Sequence, residues 1–433
     1  MTSTEAAPPS RGMFRSLEVP NYRKYFWGGI ISNTGVWMQR TAQSWVVLQL
    51  SGGAGAALGL VTLLQFGPTV ILSVCAGTLS DRYSKVKILV MTQSLVGLLS
   101  LVQAVLDITD VLTLTQVYVL TCAVGVITAL DMPARQAFAS ELVGPRNIVN
   151  AIGLNTASFN AARLLGPPLA GLMIAGFNTW SVFLVHAVSS VAIVVSLLRI
   201  ERAALTRQAP PSRAPGQLLA GFRFLRHSPV LMIFVGLASL VAAVGANSLQ
   251  VVIPLIATER FGTGALGFGL LSAALAVGGL AGALLASTTT GMPRQRWVFG
   301  AAALLGACQL LASFMPGLVT FALTLVLVGL LFMSFVVLAN TSVQLAAPPA
   351  IRGRVIAVYM MFFMGGGALG APALGVLADW LSPMRAVTVA GAFSIAAALG
   401  CAALAGLGRR RRVLAAPPTS PVEEVEVTDQ VLR

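Results

Sequence analysis

Apolar residues dominate twelve stretches of this chain, at 22–50, 57–80, 88–108, 113–131, 148–175, 178–199, 228–257, 264–289, 297–315, 318–347, 355–381 and 383–407. A helix rises 1.5 Å per residue, so about 20 mainly apolar residues cross a hydrocarbon layer about 30 Å thick. Each stretch is near or above that length, and together they leave only short loops and two tails. The pattern predicts an all-α membrane protein with twelve transmembrane helices. Composition agrees. The chain is 56% hydrophobic and 10% charged, whereas about a quarter of the residues of a soluble protein are charged.

The polar positions between the stretches orient the chain. With the N-terminus in the cytoplasm, the inner loops and tails hold 24 of the 28 Lys and Arg residues. Arg260 and Arg385 then lie outside, and Arg40 and Arg163 lie within helices. Cytoplasmic loops accumulate Lys and Arg, so the asymmetry predicts a multi-pass protein with both termini cytoplasmic. It also accounts for the net charge of +14 without a nucleic-acid partner. The implied partner of Arg409–Arg412 is the anionic surface of the lipid bilayer. Arg outnumbers Lys 25 to 3 amid abundant Ala and Gly, the usage of a GC-rich bacterial genome, which points to a bacterial cytoplasmic (inner) membrane.

The longest gap, 200–227, carries the Pro-rich basic run Ala209-Pro210-Pro211-Ser212-Arg213-Ala214-Pro215-Gly216 and splits the helices six and six. An internal repeat supports the split. Phe14-Arg15-Ser16-Leu17 recurs as Phe222-Arg223-Phe224-Leu225, and Ala57-Leu58-Gly59 as Ala265-Leu266-Gly267, both 208 positions on. Leu165-Gly166-Pro167-Pro168 recurs as Leu369-Gly370-Ala371-Pro372, 204 positions on. The expected organisation is a cytoplasmic tail at 1–21, a six-helix half at 22–199, the linker at 200–227, a second half at 228–407 and a disordered cytoplasmic tail at 408–433. Parallel six-helix halves are the plan of one large transporter class.

Candidate chemistry is sparse. The chain has two His, His186 and His227, and its four Cys (Cys75, Cys122, Cys308, Cys401) all sit inside apolar runs. No metal site, cofactor or Cys/His nucleophile is expected. A membrane-embedded enzyme would need His, Cys or acids clustered at one membrane face, and the sequence has no such cluster.

Between the second and third stretches lies Gly77-Thr78-Leu79-Ser80-Asp81-Arg82-Tyr83-Ser84-Lys85-Val86-Lys87. It resembles the Gly-x-Leu-x-Asp-Arg-x-Gly-Arg-Arg/Lys loop of the major facilitator superfamily, with Ser84 where that family favours Gly. The resemblance implies a gating loop built on Gly77, Asp81, Arg82, Lys85 and Lys87. The matching loop of the second half, Gly291-Met292-Pro293-Arg294-Gln295-Arg296, lacks an Asp, so a latch on Asp81 is one-sided. Asn21-Tyr22-Arg23-Lys24-Tyr25-Phe26, Trp37-Met38-Gln39-Arg40, Asp131-Met132-Pro133-Ala134-Arg135-Gln136-Ala137-Phe138 and Asn160-Ala161-Ala162-Arg163-Leu164-Leu165-Gly166-Pro167 are similar to the enterobactin-exporter and macrolide-efflux branch of that superfamily. This implies an exporter of a small amphipathic molecule, siderophore or drug-like, that works by alternating access on the proton motive force; the chain is expected to function as a monomer. An importer or facilitator on the same fold is the alternative, because fold does not fix direction.

Polar stripes mark candidate cavity walls. Asn33, Trp37, Arg40 and Ser44 recur at i, i+4, i+7 and i+11 on the first helix, and Thr156, Asn160 and Arg163 repeat the first three steps on the fifth. Charges inside helices cost several kcal/mol, so Arg40 and Arg163 either meet substrate or stitch helices by bonding backbone carbonyls. Met360 and Met364 occupy the paired positions of the second half, as core or as a pliable wall, and Asn247 adds polarity to the seventh helix. Asp131 and Arg135 form an i, i+4 pair across an expected break at Pro133, at the cytoplasmic end of the fourth helix. The pair is either a proton-coupling device or a helix-end salt bridge.

Overall fold

The structure, a computed structural model, describes residues 12, 14–205, 217–289, 291–349 and 351–415, without the side chains at 73–82, 145–146, 217–220, 246–247 and 407–415. In the first half, α1 (Pro20–Leu50), α2 (Gly55–Arg82), α3 (Lys85–Ile108), α4 (Leu114–Phe177) and α5 (Thr179–Leu198) follow one another through short loops. Helix α4 contains two spans. It folds back at Gly144, whose φ of 67° and ψ of 175° lie outside helical space in a region that Gly occupies without a Cβ clash. In the second half, the short α6 (Gln217–Arg226) precedes α7 (Pro229–Val244) and α8 (Ala246–Leu255), which with a π-helical turn at Ile256–Arg260 form one broken span. Then come α9 (Gly264–Ser287), α10 (Gln295–Ser313), α11 (Leu318–Ala346), α12 (Arg352–Leu381) and α13 (Pro383–Ala415). This makes twelve spans in two six-helix halves, and no strand occurs among the described residues.

Helix ends follow local chemistry. Pro20 opens α1, where its fixed φ suits the helix and its missing N–H costs nothing. Thr113 and Gln116 form a reciprocal cap at the start of α4: the Thr113 N–H donates to the Gln116 side chain at 2.8 Å, and the Gln116 N–H donates to the Thr113 hydroxyl. Two boundaries differ from the sequence expectation. The fourth span does not break at Pro133 but runs on to the Gly144 turn, since no residue with non-helical φ/ψ occurs before that Gly. Within 200–227, α6 forms as an amphipathic helix, and 206–216 lies outside the described residues.

Among the described residues, ten helices are long and apolar enough to cross a membrane by composition; α1 and the second leg of α4 are not among them. These two carry the polar stripes, so their low hydropathy reflects what they line. Outward faces are apolar: Ile71 is 76%, Leu369 69% and Trp380 81% exposed, a surface suited to lipid rather than water.

Two of the three pairs of repeated strings lie where helices must approach closely. A Cβ on Gly59 would fall 2.5 Å from Pro372 Cα, and one on Gly269 would fall 2.6 Å from the Pro167 carbonyl oxygen. Thus the string at 57–59 meets the string at 369–372, and the string at 265–267 lies beside the one at 165–168, so the two inter-half crossings are related as the halves are. Both crossings lie at the end opposite the N-terminus, here termed the far end. One buried apolar cluster runs through both halves there, including Val46, Leu58 and Phe183 with Phe268, Phe321 and Leu374. At the near end the first half has its own cluster, built on Tyr22, Leu89, Phe138 and Leu197, with no second-half member.

Candidate functional site

Between the halves lies a cavity of about 230 Å³. Helix α1 supplies Trp37, Arg40, Thr41 and Ser44; α2 supplies Leu58, Thr62, Gln65 and Phe66; the second leg of α4 supplies Phe159, Arg163 and Pro167. The second half adds Gln250 and Val251 from α8 and Phe268 from α9. A second void, around Leu249, Ile253, Gln309, Phe321 and Leu325, has no room for a water molecule, so it is a packing gap.

Trp37 is the centre of the site. The guanidinium carbon of Arg40 sits 4.8 Å from its ring centroid and that of Arg163 5.4 Å, with Phe66 also 5.3 Å from Arg40. Phe159 packs edge-on against Trp37 at 5.6 Å. Aromatic faces attract cations at such distances, and this explains how both charges are held. Neither guanidinium makes an ion pair among the described residues. Arg40 Nε and Trp37 Nε1 are buried N–H groups with no hydrogen-bond partner. Arg40 Nε therefore stitches no helix through a backbone carbonyl among the described residues.

The expected cavity residues divide. Trp37, Arg40, Ser44 and Arg163 line the same space. Asn33 instead donates across to the Ser158 hydroxyl, Asn160 donates to the Thr156 carbonyl one turn back, and Thr156 is exposed. Met360 and Met364 on α12 do not line this cavity, and the side chain of Asn247 lies outside the described residues. Sequence reasoning missed the contribution of α2. Thr62, Gln65 and Phe66 recur at i, i+3 and i+4 in an otherwise apolar run, a signal that helical spacing could have found.

The second constellation lies deeper in the first half. Asp131 is 7% exposed and within the helix, 17 positions after Leu114 and 13 before Gly144, not at a cytoplasmic helix end. Arg135 Nε donates to Asp131 Oδ2 at 2.9 Å; Thr92 Oγ1 and Gln93 Nε2 of α3 donate to Oδ1 at 2.7 and 2.9 Å. Ser32 of α1 donates to Gln93 Oε1 at 3.3 Å. The carboxylate thus ties α4 to α3, and Gln93 carries the chain of hydrogen bonds on to α1. His186, fully buried on α5, pairs through Nδ1 with the Ser100 hydroxyl at 3.0 Å, as a hydrogen-bonded packing residue does.

Of the expected gating loop, the side chains of Gly77, Asp81 and Arg82 lie outside the described residues, while Lys85 and Lys87 sit in the first turn of α3. The far end of the same α2 helix shows a carboxylate the sequence did not single out. Asp379 of α12 accepts from the N–H groups of Gly55 and Ala56, the latter at 2.9 Å, and so caps α2 from the opposite half.

Comparison with known proteins agrees with this architecture. The family described as "Transmembrane secretion effector" matches residues 9–419. The multidrug efflux pump Tap of Mycolicibacterium fortuitum is 28% identical over 345 residues, 77% of this chain and 83% of that protein. The enterobactin exporter EntS of Salmonella typhimurium is 27% identical over 407 residues, 93% of this chain and 95% of that one. Among solved structures, a bacterial homologue of the lysosomal transporter Spinster, in an inward-facing and unoccupied conformation, superposes with a TM-score of 0.69 at 15% identity. That match covers 89% of this chain and 96% of the other. A bacterial homologue of the iron transporter ferroportin gives a TM-score of 0.67 at 15% identity over 88% of this chain and 98% of the other. With twelve spans in two halves, a cavity between them and a family match over nearly its whole length, this chain belongs to the transmembrane secretion effector family of the major facilitator superfamily, and is a multi-pass membrane transporter of small molecules rather than an enzyme.

Proposed function

We propose that this transporter exports a small amphipathic organic compound across a bacterial cytoplasmic membrane, working as a monomer with both termini in the cytoplasm and driven by protons. The observation that carries the reading is the cavity walled by both halves and sealed at the far end, where Asp379 caps α2 and Gly59 meets Pro372. With cytoplasmic termini, that end faces outward and the cavity belongs to an inward-facing state, the state that loads an exporter. The efflux pumps that this chain resembles support the direction.

Asp131 and Arg135 are the coupling pair of this proposal. As a carboxylate, Asp131 accepts three hydrogen bonds from α3 and α4. Protonation turns one acceptor oxygen into a donor and releases Arg135. A bound proton moves a conformational equilibrium only by such a difference in contacts between states. The test is efflux of candidate siderophores and drugs from cells with and without the protein, with a protonophore control, followed by proteoliposomes under an imposed pH gradient. Gradient-driven efflux in wild type and its loss in Asp131→Asn is the expected result. Equal efflux in both removes Asp131 from the mechanism, efflux indifferent to the gradient removes proton coupling, and accumulation inside cells reverses the direction.

A further inference from the structure

We infer that the cavity between the halves takes an organic anion bearing an aromatic ring, its acidic oxygens held between Arg40 and Arg163 and its ring lying among Trp37, Phe66, Phe159 and Phe268. The inference rests on reading this cavity as the transport site, and it adds the chemical class of the substrate.

Charge comes first. Arg40 and Arg163 place two cations against one Trp ring, neither has an ion-pair partner among the described residues, and no Asp or Glu lines the cavity. Uncompensated charge within a membrane protein is costly and marks sites where charge is needed. Aromatic faces offset part of that cost but cannot relieve the repulsion between the two guanidinium groups. A cationic substrate would add a third positive charge to the same space. An anion neutralises both, and the planar guanidinium fork matches a carboxylate or a pair of adjacent acidic oxygens.

Hydrogen bonding points the same way. The hydroxyl groups in the wall already donate to their own helices: Thr41 to the Trp37 carbonyl, Ser44 to the Arg40 carbonyl and Thr62 to the Leu58 carbonyl. Among the unspent donors are Arg40 Nε and Trp37 Nε1, both buried and unpartnered. Guanidinium and indole N–H groups donate only; these two are closed off from water-sized access, so a ligand reaches them only when the side chains shift, and it must then supply acceptors. The aromatic lining supplies flat apolar faces for its ring, and about 230 Å³ of space holds an organic molecule rather than one water.

The experiment uses three probes of the same shape and different charge: 1-naphthoate, 1-naphthamide and 1-naphthylmethylammonium. Each is titrated calorimetrically into the purified full chain in zwitterionic nanodiscs at neutral pH, with empty nanodiscs subtracted. Naphthoate should bind at least about tenfold more tightly than naphthamide, the scale of a charge-assisted hydrogen bond, and the ammonium should bind most weakly. Arg40→Gln and Arg163→Gln should each weaken naphthoate about tenfold and naphthamide by clearly less, so that the naphthoate preference shrinks; Arg40→Lys should retain part of the preference because it keeps the charge. Equal affinities for the three probes, tightest binding of the ammonium, no measurable naphthoate binding, or naphthoate affinity untouched by both Gln variants each overturn the proposal. The wild-type series needs no variant to fold. Parallel efflux assays separate the two readings: an anion preference without vectorial transport keeps the site and removes the export proposal, whereas export without an anion preference does the opposite.

Discussion

Asp131 shows how a single residue binds stability to the proposed coupling. Its carboxylate is buried and accepts from Thr92, Gln93 and Arg135. Removing one member of a buried pair leaves the other charge uncompensated, at a cost of about 3–5 kcal/mol, while replacing both with apolar groups is often neutral. Asp131→Ala should therefore lower the unfolding temperature of the purified protein markedly, and Asp131→Ala with Arg135→Leu should recover most of it without recovering gradient-driven transport. A double variant no more stable than the single one would show that the pair is not the main partner of either charge. The i, i+4 spacing made the pair legible in the sequence; its depth was not, because Pro133 reads as a helix break when its neighbours are unknown.

At the scale of elements, α2 is the helix on which the far-end closure depends. Its N-terminus presents unpaired N–H groups that an acceptor can cap, and Asp379 provides it from the other half. Losing such a cap costs about 0.5–2 kcal/mol, enough to shift the balance between two states severalfold. Asp379→Ala should loosen this end, read as a longer distance between spin labels at Ser51 and Ser382; an unchanged distance distribution would show that the cap does not bias closure. Gly59→Leu acts more strongly, since a Cβ there falls 2.5 Å from Pro372 Cα. That variant should insert and fold, because the crossing joins halves rather than helices within one half, yet transport should fall to background. Normal transport by Gly59→Leu would mean that α2 and α12 never need to meet this closely.

At the scale of the whole molecule, orientation is the expectation from which the rest of the cycle is read. With cytoplasmic termini, the loop at Thr109 faces outward and the loop at Ser84 faces inward. In a variant with all four Cys replaced, Thr109→Cys should react with a membrane-impermeant maleimide on intact cells and Ser84→Cys should not. The reverse pattern would invert the topology and turn the sealed end of the cavity toward the cytoplasm.

The twelve spans and their division into two halves were legible in the sequence, because hydrocarbon imposes a length and an apolarity on each helix regardless of its neighbours. The repeat was legible too, through Gly and Pro at positions where helices cross. The site was legible only in part. Arg40, Trp37 and Arg163 stand out because charge and polarity are conspicuous in an apolar run, and they do line one cavity. Asn33 and Asn160 carry the same helical spacing but spend their amides on Ser158 and the Thr156 carbonyl, while Thr62, Gln65 and Phe66 enter the wall unannounced. Periodicity determines which face a residue shares; which neighbour covers that face is decided by the packing of helices far apart in the chain. For the same reason the Asp379 cap belongs to the tertiary structure alone: its partners lie more than 300 positions away, at 55 and 56, and nothing local to Asp379 encodes them.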